Sequence, residues 1–412
     1  MGSDKIHHHH HHMKAVRVHI LGSGGREHAI GWAFAKQGYE VHFYPGNAGT
    51  KRDGTNHPYE GEKTLKAIPE EDIVIPGSEE FLVEGVSNWR SNVFGPVKEV
   101  ARLEGSKVYA KRFMKKYGIR TARFEVAETP EELREKIKKF SPPYVIKADG
   151  LARGKGVLIL DSKEETIEKG SKLIIGELIK GVKGPVVIDE FLAGNELSAM
   201  AVVNGRNFVI LPFVRDYKRL MDGDRGPNTG GMGSWGPVEI PSDTIKKIEE
   251  LFDKTLWGVE KEGYAYRGFL YLGLMLHDGD PYILEYNVRL GDPETEVIVT
   301  LNPEGFVNAV LEGYRGGKME PVEPRGFAVD VVLAARGYPD APEKGKEITL
   351  PEEGLIFFAG VAEKDGKLVT NGGRVLHCMG TGETKEEARR KAYELAEKVH
   401  FEGKTYRRDI AL

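Results

Sequence analysis

From Val16 onward short apolar runs alternate with helical patterns, and this alternation constrains the chain most: it asks for a mostly parallel sheet with helices laid over it. Residues 16–21 (VRVHIL) read as a strand, 22–25 as a loop, 26–36 as a helix ended by Gly38, and 41–44 as a second strand. Residues 73–75 and 93–94 read as further strands, each followed by a glycine and proline turn. This first unit spans residues 13–106. The twelve residues before it, MGSDKIHHHHHH, are an expression tag, so six of the thirteen histidines drop out of any metal argument. At roughly 150 residues per domain, the rest of a 412-residue chain must contain more than one further unit.

Helix starts are well marked after residue 107. Thr129-Pro130-Glu131-Glu132 and Ser162-Lys163-Glu164-Glu165 are capping boxes, in which a hydroxyl and a glutamate satisfy the free amides of a first turn. The first opens a helix with Leu133, Ile137 and Phe140 on one face. Strands at 144–148 and 157–160 are joined by the glycine-rich stretch 149–156. A hairpin at 197–203 and 208–213 turns at Asn204-Gly205, which suits a two-residue turn with positive φ. Ile245, Ile248, Phe252, Leu256 and Val259 recur as one buried helix face. A second hairpin, 269–276 and 282–289, turns at Asp278-Gly279. The stretch 320–324 (EPVEP) reads as a linker, and strands at 327–334 and 374–379 then precede a helix capped by Thr384 and Glu387. The expected organisation is a multi-domain α/β, α+β chain: 13–106, 107–322 with a small subdomain at about 120–188, and 323–412.

Charge narrows the partners. With 59 Lys and Arg against 63 Asp and Glu, a net −4, the chain lacks the diffuse basic field of a nucleic-acid binder, so a small-molecule target is expected. No apolar run approaches the roughly 18 residues of a membrane span. One cysteine, Cys378, cannot make an internal disulfide and fits a reducing, cytoplasmic setting. The 51 glycines follow no collagen-like period, so their excess belongs to special loops.

Three such segments carry the chemistry. Gly22-Ser23-Gly24-Gly25-Arg26-Glu27-His28 lies between a strand and a helix, where free amides favour an anion such as phosphate near Gly24, Gly25 and Arg26; a structural turn is the alternative. A dinucleotide fingerprint fits poorly, because its third glycine falls at Glu27 and no acid ends the second strand. Lys147 to Gly156 (KADGLARGKG) is one residue short of a P-loop and is followed by a strand. It reads as a glycine-rich flap over a triphosphate with Lys147 on the strand before it, or else as a solvated hairpin with a snorkelling lysine. In Glu285-Tyr286-Asn287-Val288-Arg289 a period of two puts Glu285, Asn287 and Arg289 on one face while Leu284, Tyr286 and Val288 fill the other. A carboxylate and an amide oxygen so spaced suit a hard cation bridging nucleotide phosphates, and Arg289 suits a transferring phosphoryl group or a carboxylate. A structural Glu–Arg pair is the plainer reading, against which the neighbouring turn Leu290-Gly291-Asp292-Pro293-Glu294 adds two more acids.

Taken in order, residues 22–29 (GSGGREHA), 45–50 (PGNAGT), 145–150 (VIKADG), 226–233 (GPNTGGMG), 289–295 (RLGDPET) and 370–374 (TNGGR) resemble the phosphoribosylamine-glycine ligases, or glycinamide ribonucleotide synthetases, of the ATP-grasp superfamily. The resemblance implies an N-terminal α/β domain, an ATP-grasp fold with a small flap domain, and a mixed C-terminal domain. It implies that ATP, glycine and 5-phosphoribosylamine give glycinamide ribonucleotide, ADP and phosphate through glycyl phosphate, with Mg2+ or Mn2+. A monomer is compatible with the sequence, which does not itself fix the oligomeric state.

By the family pattern, Lys107 and Lys147 meet ATP phosphates under a flap that includes Gly150, Gly154, Lys155 and Gly156. The backbone of Glu190 and Leu192 holds the adenine edge, Glu196 the ribose, and Glu285 and Asn287 the metal. Arg289 and Lys147 are catalytic. Gly24, Gly25, Arg26, Asn47, Asp216, Lys218, Arg289, Gly291 and Asp292 receive the other substrates. Residues 269–276 offer no second metal-binding acid, and residues 75–83 depart from the family's usual glycine-proline-glutamate at that place.

Overall fold

The computed structural model describes residues 16–150 and 156–412. Gly154 and Lys155 of the expected flap, and the tag, lie outside the described residues. The chain opens with β1 (Val18–Gly22), α1 (Gly25–Lys36), β2 (Val41–Pro45), β3 (Thr55–Asn56) and β4 (Ile73–Pro76), paired in the parallel order β3-β2-β1-β4. β1 is buried on both faces, as a sheet covered by helices requires. The expected strand at 93–94 is a single bridge, Val93 to Val74, rather than a strand.

α2 (Lys107–Lys116), whose cap Ser106 accepts from Tyr109 N at 3.1 Å, leads into a small antiparallel sheet. Its elements are β5 (Phe124–Ala127), α3 (Pro130–Lys136), β6 (Tyr144–Ala148), β7 (Val157–Leu160), α4 (Lys163–Ile175) and β8 (Val186–Glu190), in the order β5-β8-β6-β7. The hydroxyl half of each expected capping box forms, Thr129 accepting from Glu132 N at 3.1 Å and Ser162 from Glu165 N at 3.2 Å, while the Glu132 carboxylate accepts from Glu128 N at 2.9 Å rather than from the cap amide. α3 ends sooner than its apolar pattern suggests, because Ile137–Lys139 tightens into a 3₁₀ turn, yet Leu133, Ile137 and Phe140 are all buried. Ala148 N donates to Gly156 O at 2.7 Å, closing the hairpin below the glycine-rich stretch.

A third sheet follows from β9 (Asn195–Asn204) and β10 (Asn207–Ile210). After it come β11 (Arg215–Asp216), the ribbon β12 (Arg219–Met221) and β13 (Arg225–Asn228), β14 (Gly233–Gly236), α5 (Ser242–Lys261), β15 (Arg267–His277) and β16 (Asp280–Asn287). The order is β10-β9-β15-β16. One face packs on α5 through Ala199, Leu270, Leu272, Tyr286 and Phe252. The other packs Met200, Val202 and Phe269 on α7 (Pro303–Arg315), which follows α6 (Glu294–Leu301). The chain closes with β17 (Phe327–Ala334), β18 (Ile356–Phe358), the ribbon β19 (Val361–Lys364) and β20 (Lys367–Thr370), β21 (Arg374–Gly382) and α8 (Lys385–Lys398). Its main sheet runs β11-β14-β17-β21-β18. Two strands from before residue 322 thus belong to this last sheet, so the expected segment 107–322 does not close on itself.

Candidate active site

β16 carries a bulge. Gly273 pairs with Glu285 and Leu274 with Ile283, leaving Leu284 without a partner. The period-two expectation fails at that point: Ile283, Tyr286 and Val288 fill the core, whereas Leu284 is half-buried. Beyond the bulge, Glu285 and Asn287 share a face, and the strand stops at Asn287. Arg289 lies in the following bend, yet its Nη2 donates to Asn287 Oδ1 at 3.2 Å, so the three residues do come together.

Arg289 is the hub. Its Nη2 also meets Glu104 Oε2 at 3.0 Å, its Nε meets Glu79 Oε2 at 3.2 Å, and its guanidinium stands 5.8 Å from the centre of the Tyr271 ring. Burial opposes its charge, but Glu104 and Glu79 outweigh burial and hold its pKa above the usual value. Glu104, fully buried and accepting from Val288 N at 2.8 Å, is pushed up to about 7 by desolvation against the pull of Arg289. Glu79 belongs to the segment 75–83 that departs from the family pattern, and that segment therefore touches the site. Tyr271 OH donates to Glu294 Oε2 at 2.7 Å and lies 2.6 Å from Ser198 Oγ. Glu294 tucks beneath Gly291, where a Cβ would meet its carboxylate at 2.6 Å.

Lys147 faces this group from β6. Its Nζ pairs with Asp189 Oδ2 at 2.9 Å and reaches Leu284 O at 3.4 Å, while Asp189 Oδ1 pairs with Lys111 at 2.9 Å. Desolvation works against the Lys147 charge, but Asp189, then Glu285 and Glu196, raise its pKa, so the buried amine stays protonated. Desolvation, Asp216 and Glu285 raise the Glu196 pKa in turn. Asp216 Oδ2 holds Lys218 Nζ at 2.6 Å, and Lys218 donates to Gly230 O at 3.2 Å, which fixes the second glycine-rich loop. Lys107 is half-buried at the start of α2. Glu190 is exposed and its N–H is spent on Arg123 O at 2.8 Å; Leu192 is buried. Gly150 stands in the left-handed region, φ +85.

The N-terminal loop departs from expectation. Gly24 N donates to Glu27 Oε1 at 2.8 Å and Arg26 N to Asp292 Oδ2 at 3.3 Å, so two of the amides expected to hold an anion are taken by the chain's own carboxylates. Arg26 is tied to Glu27 Oε2 at 2.5 Å and to Leu290 O at 3.1 Å. Both amide hydrogens of Asn47 are also used, on Ser23 O and Phe358 O at 2.8 Å each, which makes Asn47 a staple between the first and last sheets. Between these loops and the C-terminal segments lies a cleft of about 670 Å³, lined by Ser23, Gly24, Asp292, Gly360, Asn371 and Arg374 among others. Arg374, which no motif reading singled out beyond its place in TNGGR, donates to Asp292 O at 3.1 Å and sits 3.5 Å from Asp292 Oδ1.

Two centres, a charged cleft around Lys147 and Arg289 and a second one shared by the first and last sheets, are joined through residues 290–294. The profile of the phosphoribosylglycinamide synthetase N domain matches residues 16–104, that of its ATP-grasp (A) domain residues 105–295, and that of its C domain residues 328–412. The chain belongs to the phosphoribosylglycinamide synthetase family. It is similar to a phosphoribosylamine-glycine ligase of Thermotoga maritima, whose crystal structure is 97% identical, covers 96% of this chain and all of that one, and superposes with a TM-score of 0.93. A phosphoribosylamine-glycine ligase of Ralstonia nicotianae is 40% identical over 96% of this chain and 98% of that protein. A bifunctional purine biosynthetic protein of Pichia angusta is 39% identical, and this chain spans 54% of its length. The family's ATP-grasp domain makes the chain an ATP-using ligase. No helix among the described residues is long and apolar enough to cross a membrane.

Proposed function

We propose that the chain joins glycine to 5-phosphoribosylamine at the expense of ATP, with the Lys147–Arg289 cleft activating glycine and the second cleft receiving the amine. The glycine carboxylate attacks the γ-phosphorus and ADP leaves; the phosphoribosylamine nitrogen then attacks the glycyl carbonyl and phosphate leaves. No protein nucleophile is required, so the protein's part is positioning and charge neutralisation. Lys147 and Lys107 take phosphate oxygens, and the half-buried Leu284, turned into the cleft by the bulge, packs on the nucleotide between β6 and β16. The backbone of Glu190 and Leu192 holds the adenine edge and Glu196 the ribose. Arg289, already charged and held by Glu79 and Glu104, stabilises the acyl phosphate without reorganising.

The donors Glu285 and Asn287 are hard oxygens. Glu285 faces Gly273, whose missing side chain leaves the carboxylate room, and with Asn287 it would hold Mg2+ or Mn2+. Such an ion would neutralise phosphate charge.

In the second cleft the Arg374 guanidinium receives the ribose 5-phosphate in place of the Gly24 and Arg26 amides; the N–H groups of Ala359, Gly360, Val361 and Asn371 donate to backbone carbonyls and take no part. Asp292 accepts hydrogen bonds from the amine; Arg374 and His377 outweigh its burial and hold its carboxyl well below the usual range, so it orients the amine rather than deprotonating it. Asp216 and Lys218, paired to each other near Glu196, help place the substrates. A cytoplasmic, monomeric enzyme belongs to the same reading. The observation that carries it is the convergence of Glu285, Asn287 and Arg289 opposite Lys147. An ADP-release assay with glycine or phosphoribosylamine omitted in turn tests it: turnover is expected to need both, and turnover independent of either overturns it.

A further inference from the structure

Behind the second cleft, three buried titratable side chains from three elements meet a fourth, Asp292, that lines the cleft. Glu296 in the first turn of α6, Asp330 on β17 and His377 on β21 are fully buried, and Asp292 lies between them and the cleft. His377 Nδ1 faces Asp330 Oδ2 at 2.7 Å and Glu296 Oε2 at 3.2 Å, and its Nε2 lies 3.7 Å from Asp292 Oδ1. Arg374 is the second cation from β21, and Arg26 N of α1 reaches Asp292 Oδ2. A carboxyl oxygen of Asp292 and one of Glu296 lie within 4.8 Å of each other, and neither Glu296 oxygen has a hydrogen-bond donor among the described residues.

Two carboxylates crowded into a buried site repel each other when both are ionised, which favours a proton on one of them. Asp292 has the Arg26 amide and Arg374 beside it and opens on the cleft; Glu296 has neither. We propose that Glu296 is a positioning residue, a neutral carboxylic acid at neutral pH whose O–H donates to Asp292 and holds that carboxylate in the wall of the amine cleft. The positioning role rests on the reading of that cleft as the phosphoribosylamine site. Desolvation, then the Asp292 charge and Asp330, push the Glu296 carboxyl well above the usual carboxylate range, in accord with this assignment. Its bearing on the N-terminal loop of the cleft wall is direct: a Cβ on Gly25, which opens α1, would come 2.9 Å from Glu296 Oε2 and 2.5 Å from His377 Nε2, so the cluster is the floor on which the loop rests. A divalent ion held by Asp292, Glu296 and His377, whose ligand atoms lie within 4.8 Å of one another, is the competing occupant; the Arg374 guanidinium beside Asp292 opposes it.

The test uses the full chain and glycinamide ribonucleotide, the stable product, as probe. An infrared difference spectrum of wild type against Glu296→Gln at pH 7 should show a protonated-carboxyl C=O band that the variant lacks. Glu296→Gln, which keeps an N–H donor in place of the O–H, should hold the dissociation constant of the probe within about twofold, whereas Glu296→Ala should weaken it about tenfold, the loss expected when one buried hydrogen bond is removed. A missing band, a Gln variant as weak as the Ala variant, or a stoichiometric metal in wild type that Glu296→Gln abolishes each overturns the proposal. Where Glu296→Ala fails to fold, the band and the Gln variant still decide. Failure of wild type to bind the probe while the band is present overturns the cleft reading, and the positioning role with it, but leaves the proton on Glu296.

Discussion

A single guanidinium, Arg289, is gripped by two acids and an amide before any substrate arrives, and this pre-payment is what electrostatic catalysis requires. Arg289→Ala should lower kcat by about 10²–10³-fold, the usual range for removing one charge-stabilising donor, while ATP affinity changes little; single-turnover rates beside an ATP titration measure the two separately. Arg374 is expected to behave in the opposite way. Arg374→Ala should weaken glycinamide ribonucleotide binding by about 10–100-fold, the range for losing a charge-assisted bond to phosphate, with KM for ATP unchanged. Residue identity alone pointed to the first guanidinium and not to the second. Glu285, Asn287 and Arg289 stand two apart in one strand-like run, whereas Arg374 earns its place only by meeting Asp292, 82 residues away along the chain.

At the scale of elements, local chemistry reads well where it is short-range. The helix-capping hydroxyls of Thr129 and Ser162, the hairpin turn at Asp278-Gly279, and strands β6, β7 and β17 match their patterns because each rests on neighbouring residues, whereas the first hairpin turns one residue later than expected, at Gly205-Arg206, with Asn204 still paired to Asn207. Leu284 was legible only as a core residue, since a bulge is a property of pairing between two strands rather than of one. The N-terminal loop shows the same limit. Gly22 takes φ +132, and a Cβ there would come within 2.5 Å of the Glu27 side chain that fills the loop and caps Gly24 N. Gly22→Ala should therefore cost about 1–3 kcal/mol, the range for a strained backbone position, read as a lower denaturant midpoint with an unchanged slope.

Across the whole molecule, the C-terminal sheet recruits β11 and β14 from the middle of the chain, and the last residues clasp the turn at 222–224. Arg407 holds Asp409 through Nε–Oδ1 at 2.8 Å and Nη2–Oδ2 at 2.7 Å, Asp409 Oδ2 accepts from Gly223 N at 2.9 Å, and Arg407 Nη1 reaches Asp224 at 3.0 Å. The hydrogen bond from Arg407 lowers the Asp409 pKa to about 2. A carboxyl depressed on folding adds stability that is complete above its unfolded pKa and is lost as pH falls toward the folded one. Asp409→Asn should thus cost about 2 kcal/mol at most at pH 7, with the gap to wild type narrowing below about pH 4; denaturant titrations at both pH values check it.

By itself the amino-acid order determined most element types and the family, and it singled out Lys147, Glu285, Asn287 and Arg289, because each depends on side-chain period or on contiguous motifs. Only the tertiary structure decided that Asn47 is a staple, that Glu27 and Asp292 occupy amides expected to face an anion, and that Asp292, Glu296, Asp330 and His377 share one buried space. Those outcomes depend on which distant backbones meet in three dimensions, and on which of several charges can then remain ionised once water has been excluded.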